Sequence, residues 1–214
     1  MKRELSQLEM SRLLDISRPS YVAIEQGKRD LTVPEAKKLS DFFGVPFEEF
    51  SGAPEQKYEK YKQMILAILR SKASYKGRFP KTKLAKLLYL SDFTWYYQNL
   101  ESMSGMPYVR RAYGPVPDPY FRALTELEEE GKVAISREGD SILVTEASGA
   151  MNEKLDLLSD GEVKLMNKIA SKWKNKNTTE IVSFTHNQLP YKLCAPNEVI
   201  PYELFIQEDP EHVY

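Results

Sequence analysis

Cysteine, histidine and long apolar runs are what this chain has least of. One cysteine, Cys194, in 214 residues excludes an internal disulfide and fits a reducing compartment, so the cytoplasm is the expected location. The two histidines, His186 and His212, are far apart in sequence. No C-x-x-C, H-E-x-x-H, phosphate-loop, G-x-G-x-x-G or G-x-S-x-G string occurs, so no metal, no cofactor and no catalytic residue is expected. No apolar stretch approaches the ~20 residues of a membrane helix, and Met1–Gln7 is too polar for a signal peptide, so no membrane contact is expected. A net charge of −1 gives no global attraction for nucleic acid; DNA contact must come from a local surface.

What is present is an ordinary globular composition, 42% hydrophobic and 29% charged, in a length that holds one large domain or two small ones. Charge is unevenly placed. Ser71–Lys86 carries Lys72, Lys76, Arg78, Lys81, Lys83 and Lys86 with no acid, and the stretch from Glu198 onward carries five acids with no Lys or Arg. Such runs are usually solvated faces; the alternative is a contact surface for a charged partner.

The first fifty residues are punctuated as short helices. Ser6 with Glu9 makes a capping box ahead of Leu8, Met10, Leu13 and Leu14. Asp15-Ile16-Ser17 breaks that pattern, Ser17 caps a second helix with Pro19 in its first turn, and Gly27 stands as its terminating glycine. Tyr21, Val22 and Ile24 can pack inward. Thr32 with Glu35 opens a third helix through Phe43, Gly44 ends it, and Pro46–Phe50 is a last short turn of helix. The strings Leu5-Ser6-Gln7, Leu13-Leu14-Asp15-Ile16-Ser17-Arg18, Ile24-Glu25-Gln26-Gly27-Lys28-Arg29 and Phe43-Gly44-Val45 resemble the phage-repressor (Cro-type) helix-turn-helix family. That resemblance implies a second helix lying in the major groove. Ser17, Arg18, Ser20 and Tyr21 would then face base edges, with Arg18 the likeliest guanine reader. Gln7 would meet phosphate at a helix N-terminus, while Gln26, Lys28 and Arg29 would hold the backbone. The plain alternative is a helical interaction module without DNA contact. The family carries a helix before Leu5 whose basic residue pairs with the position of Glu25. Here Met1–Glu4 precede it, so that helix is expected to be short or missing, with Lys2, Arg3 or solvent as the partner of Glu25.

Ser51–Lys57 has linker composition. Tyr58–Ser71 reads as a helix and Tyr75–Pro80 as a loop. Thr82 caps a long helix to about Tyr97, and Tyr108–Tyr113 is extended. Gly114-Pro115-Val116-Pro117 is a rigid corner that continues neither strand nor helix. A helix follows over Pro119–Glu130, and Lys132–Ser136 with Ser141–Thr145 form a hairpin. Ser159 with Glu162 opens a helix to Trp173, and Thr178 or Thr179 starts one to Phe184. The stretch after Pro190 is mostly irregular. The fold expected is mainly α: a helix-turn-helix module (1–50), a linker (51–57), a helical domain with a small β-hairpin (58–205) and an acidic tail (206–214).

Within the larger part, Lys86-Leu87-Leu88-Tyr89-Leu90-Ser91-Asp92, Tyr108, Arg111 through Pro117, Leu124–Gly131, Ser183-Phe184-Thr185-His186 and Ile200-Pro201-Tyr202 resemble the Panacea antitoxin domain. Tyr191 stands where that family usually has Trp. The resemblance implies a domain that neutralises toxin proteins by direct contact. The implied partners are a cognate toxin encoded by the neighbouring gene and operator DNA, with a homodimer or a higher toxin–antitoxin complex. Tyr89, Trp95, Tyr96, Tyr97, Tyr108, Tyr113, Tyr120 and Phe121 are core aromatics on the plain reading. They can also mark a binding face, for which Arg110, Arg111, Tyr113 and Tyr120 are the candidates. His186 reads as a packed structural histidine and His212 as solvated. Asp92 bonds backbone or Arg110/Arg111, Cys194 sits in a polar loop, and Asp118 caps a turn. Two rival functions are a mobile-element regulator without a toxin partner and a nuclease using Asp92 and His186.

Overall fold

The computed structural model describes residues 5–26, 28, 29, 31–44, 57–71, 73, 77–150 and 152–214. The chain divides into two compact units, Met1–Glu55 and Gln56–Tyr214, and both are mainly helical.

In the first unit the caps expected from sequence set the helix starts. Ser6 N–H donates to Glu9 Oε2 at 2.8 Å, and the helix Gln7–Leu13 follows. Asp15, with φ +57, makes the turn. Ser17 Oγ accepts from Ser20 N–H at 3.3 Å, opening the helix Arg18–Glu25 with Pro19 in its first turn. Thr32 N–H donates to Glu35 Oε2 at 2.8 Å, and the helix Val33–Phe43 ends on Gly44 at φ +65. Met10, Leu14 and Leu39 form a small core, with Leu5, Leu13, Ile16, Tyr21 and Leu31 packed against it. Lys2, Arg3, Gly27, the expected turn of helix at 46–50 and the linker residues 51–56 lie outside the described residues.

The second unit is built around the helix Lys81–Asn99, buried at every residue from Lys83 to Thr94. A helix covered on all sides shows no amphipathic stripe, and Lys83, Lys86, Ser91, Asp92 and Thr94 are buried along with its apolar residues. The helix Tyr58–Arg70, buried from Tyr61 to Leu69, packs beside it. Its polar residues keep partners at the rim: Lys62 Nζ donates to Glu130 at 2.6 Å and Gln63 to Asp156 at 2.8 Å. The helices Asp160–Lys172 and Thr178–Asn187 touch the central helix on further sides; each opens with a capping box, from Ser159 and Asn177 respectively. Pro119–Glu129 packs on Tyr58–Arg70 instead. Aromatic rings fill the centre. Phe93 stacks on Tyr202 at 4.3 Å and meets Tyr89, Tyr108 and Phe205 at 4.5, 5.3 and 5.4 Å.

Several expectations are corrected. Pro80, not Thr82, is the cap of the central helix. Arg78–Pro80 is a strand, not a loop: it pairs antiparallel with Ser141–Glu146, which also pairs with Val133–Glu138. The expected hairpin therefore becomes a three-stranded sheet, because Phe79 opposite Val144 buries an apolar pair that an isolated hairpin leaves wet. Tyr75 and Lys76 lie outside the described residues.

Gly114–Pro117 is also a strand, antiparallel to Tyr108–Arg111 with Arg110 opposite Pro115 and Tyr108 opposite Pro117. Proline tolerates this because both fall on positions whose missing N–H would point away from the partner strand. The outward edge of Tyr108–Arg111 is paired in turn: Ile200 N–H donates to Tyr108 O at 2.7 Å and Arg110 N–H to Glu198 O at 2.9 Å.

The acidic tail is not loose. Ile200, Tyr202, Phe205 and Val213 alternate with the acids and are buried in the main core. Gln188 Nε2 donates to the carbonyls of His212 and Val213 at 2.8 and 3.1 Å. Glu208, buried, accepts from Leu189 N–H at 2.5 Å.

Gly114 has φ +91, and a Cβ there would lie 2.9 Å from Lys86 Cε and 3.0 Å from Thr185 Oγ1. Gly114→Ala is expected to destabilise the chain by about 1–3 kcal/mol. The measurement is a lowered urea midpoint at unchanged slope.

Candidate functional site

Two places carry chemistry. In the first unit, the N-termini of Gln7–Leu13 and Arg18–Glu25 are bridged by side chains. Arg18 Nη2 donates to Gln7 Oε1 at 3.2 Å, and Gln7 Nε2 donates to Glu25 Oε2 at 2.8 Å. Glu25 is thus bonded through Gln7, among the described residues. Burial and the neighbouring Glu25 raise the Tyr21 hydroxyl above its ordinary value. Ser17 and Ser20 bond each other through their hydroxyls at 2.8 Å. Ser17, Arg18, Gln26 and Lys28 are exposed, and Ser20 and Tyr21 are half-buried. Arg29 is committed elsewhere: Nη2 holds the buried Glu35 at 2.7 Å. In the structure it thus forms an ion pair within its own unit.

In the second unit the unusual group is Lys86, which sequence reasoning did not single out. It is 1% exposed. Its ammonium donates to Pro115 O at 2.5 Å, and no carboxylate pairs with it among the described residues. Burial alone lowers its pKa to about 7. The contact is possible because Gly114 brings the backbone onto the lysine stem. Lys86 lies on a cavity of about 350 Å³ walled by Ala85, Val116, Tyr120 and Phe121, with Lys81, Arg111 and Asp118 around it. Arg111 Nη2 donates to Asp118 Oδ1 at 2.8 Å. A second cavity shares Lys81, Thr82 and Tyr113 with the first and continues to Ile142 and Val182. The apolar residues at these openings are exposed: Tyr113 77%, Phe121 49%, Ile142 42%.

Of the residues expected at a toxin face, Arg111, Tyr113 and Tyr120 line the first cavity. Tyr120 does so from inside, 1% exposed, its hydroxyl donating to Lys81 O at 2.7 Å. Arg110 faces another way. Its guanidinium lies 4.7 Å from the ring centre of Tyr191 and donates to Cys194 O at 2.7 Å. His186 stacks on the same ring at 4.3 Å. Burial, then Lys86 and Arg110, lower its pKa, so it is packed as expected. His212 is exposed.

Asp92 is fully buried. It accepts from Met103 N–H at 2.9 Å, Ser104 N–H at 3.0 Å, Tyr202 OH at 3.0 Å and the Ser104 hydroxyl, but not from an arginine. Burial raises its pKa against those hydrogen bonds. Asp92 and His186 therefore each have separate structural neighbours, and the nuclease pairing is not assembled. Cys194 corrects its polar-loop expectation: it is 5% exposed and burial pushes its thiol up, away from thiolate reactivity. No group of three or more His, Cys, Asp or Glu able to hold a metal ion occurs among the described residues, and no described helix is long and apolar enough to cross a membrane.

A capped helix pair with an exposed second helix is the architecture of a helix-turn-helix DNA-binding module, and the helix-turn-helix family profile matches residues 1–50. The profile described as "Antitoxin SocA-like, Panacea domain" matches residues 84–191, just over half of the chain. The chain belongs to the SocA-like antitoxin Panacea-domain family and carries a helix-turn-helix domain, the make-up of a DNA-binding, antitoxin-like regulator. No curated protein and no solved structure matches it.

The buried lysine makes stability depend on pH. The folded chain releases the Lys86 proton near pH 7, whereas an unfolded lysine holds it to its ordinary value of 10.5. The unfolded state thus binds more protons in that window, and stability rises with pH, by up to ~1.4 kcal/mol per pH unit. Lys83, whose pKa burial also lowers, adds to the trend. The informative quantity is therefore the difference between wild type and Lys86→Met. Urea midpoints taken between about pH 7 and pH 9 are expected to climb more steeply for wild type than for Lys86→Met. Parallel curves would show that Lys86 titrates as an ordinary lysine.

Proposed function

We propose that this protein is the antitoxin of a type II toxin–antitoxin pair. Its larger unit binds and blocks a toxin protein encoded by the neighbouring gene, and its helix-turn-helix represses their shared operon. The observation that carries this reading is the union, in one chain, of a Panacea domain with an exposed-aromatic groove and a DNA-reading helix pair. Neutralisation needs a shaped surface with aromatic anchors, and Tyr113, Phe121 and Ile142 supply them around adjoining cavities. It needs no nucleophile. Repression needs a base reader held in place, and Gln7 holds Arg18 from the neighbouring helix. Operators of such repressors have two-fold symmetry, so two copies act together on DNA.

Arg18→Ala is expected to weaken binding to the promoter of the chain's own operon by about 1–3 kcal/mol, as for loss of one bidentate base contact. A mobility-shift assay with that promoter reads it, and unchanged binding would remove Arg18 from the interface.

Tyr113→Ala and Phe121→Ala are expected to cost about 2 kcal/mol or more each in toxin capture, the loss of an interface anchor. Co-expression of the full chain with the neighbouring gene, followed by pull-down and growth rescue, measures this. Arg110→Ala, placed under Tyr191, should change stability more than capture. Failure of the wild-type chain to capture that protein, with promoter binding intact, would favour a regulator without a toxin partner.

A further inference from the structure

The first cavity holds a buried lysine with a single partner, whose ammonium form burial disfavours and a bound anion would restore. A lysine head has three N–H donors, and Lys86 uses one, on Pro115 O at 2.5 Å. It is 1% exposed, so water does not answer the others freely. An unpaired buried cation is costly, and an incoming anion relieves that cost. The surroundings favour the anion further: Lys81 and Arg111 stand on the same cavity against the single carboxylate of Asp118. Its walls are apolar and aromatic, from Val116, Tyr120 and Phe121. At about 350 Å³ the space is that of a side chain or small ligand.

We propose that this cavity is an anion-receiving pocket, and that the bound toxin inserts a carboxylate beside an aromatic or aliphatic side chain so that the carboxylate meets Lys86. The inference rests on the antitoxin reading. A protein segment is the occupant because a second cavity adjoins the first across shared lining residues. The neighbouring cavity shares Lys81, Thr82 and Tyr113 and is lined further by Ile142 and Val182, so the two together offer a protein segment more than one side-chain position. The exposed rings of Tyr113 and Phe121 suit the apolar flank of the acid, and Lys81, 4.9 Å from the Phe121 ring centre, is placed to meet its charge.

The test has two arms on the full chain. In the first, N-acetyl-phenylalanine and its uncharged amide are compared by ligand-observed NMR, with no toxin present. The acid is expected to bind about tenfold or more tighter than the amide, the margin of a charge-assisted hydrogen bond, and Lys86→Met is expected to erase the margin. Methionine keeps the apolar stem without the charge, and its unfolding midpoint verifies that the variant is folded. Equal binding of acid and amide by the wild-type chain overturns the anion pocket, whatever becomes of the toxin.

In the second arm, wild type and Lys86→Met are compared for capture of the neighbour-encoded protein, with N-acetyl-phenylalanine as competitor. Weakened capture by Lys86→Met and displacement by the acid support the proposal. Capture that is unaffected by both overturns the toxin as the source of the carboxylate, even if the pocket prefers the acid. No capture by wild type is the failure of the antitoxin reading itself, and it is told apart because the first arm does not use the toxin.

Discussion

Two ionisable side chains on one buried helix organise the second unit. Lys86 and Asp92 lie within the stretch Lys83–Thr94, where every residue is buried. A charged or polar group in such a place must find partners or be expensive. Asp92 finds four, drawing in residues 103–104 and the Tyr202 hydroxyl from far along the chain. Lys86 finds one, the carbonyl of Pro115. Each group thereby fixes a segment that has little regular structure to hold it: the residues before Tyr108 in one case, the proline-bearing strand in the other. Tyr202 also donates to Met106 O at 3.0 Å, so the C-terminal stretch is tied to the same knot. The irregular tail is ordered because polar contacts on the central helix, and the ring stack of Phe93 on Tyr202, require it to be there.

How much of this was legible follows from what each signal depends on. Capping boxes are local, three residues wide, and all three read from sequence stand where Ser6, Thr32 and Ser159 place them. Helix existence was legible for the same reason. What failed was non-local. Arg78–Pro80 is a strand only because Ser141–Glu146 offers it an edge. Gly114–Pro117 reads as a breaker because proline forbids a ladder bond, and the chain escapes the rule by register. Lys86 was quoted as part of a motif but not weighed as a site. Its burial comes from contacts distant in sequence, Gly114 and Thr185 among them, which no local pattern records. Arg110 and Arg111 are adjacent on one strand and so point to opposite faces; sequence grouped them, and the structure sets one over Tyr191 and the other beside Asp118.

The DNA-binding unit shows the same economy of polar contacts at its surface. Arg18, Gln7 and Glu25 form a chain of hydrogen bonds across two helix starts. A carboxylate at its end orients the Gln7 amide, and the amide oxygen then receives the guanidinium. Fixing a long arginine in advance lowers the ordering cost that binding must otherwise meet. Arg29 is paired with Glu35, whose carboxylate also closes the Thr32 cap.

The abundance of aromatic residues separates into two populations once burial is known. Tyr61, Tyr89, Phe93, Tyr108, Tyr120 and Phe205 are all within 1% of full burial, and their ring contacts make the centre of the unit rigid. Tyr113 and Phe121 belong to the other population. Tyr113 is held at the tip of the Tyr108–Pro117 hairpin, and Phe121 on the first turn of Pro119–Glu129, beside Tyr120. Both rings stand at the surface, Phe121 about half covered by Tyr120 and Lys81 and Tyr113 largely open. Exposed rings on a rigid frame lose little freedom when a partner covers them. The buried ring of Tyr120, bonded to Lys81 O, supplies that frame directly beneath them. An aromatic surface is thus mounted on an aromatic core, and both border the cavity that Lys86 lines.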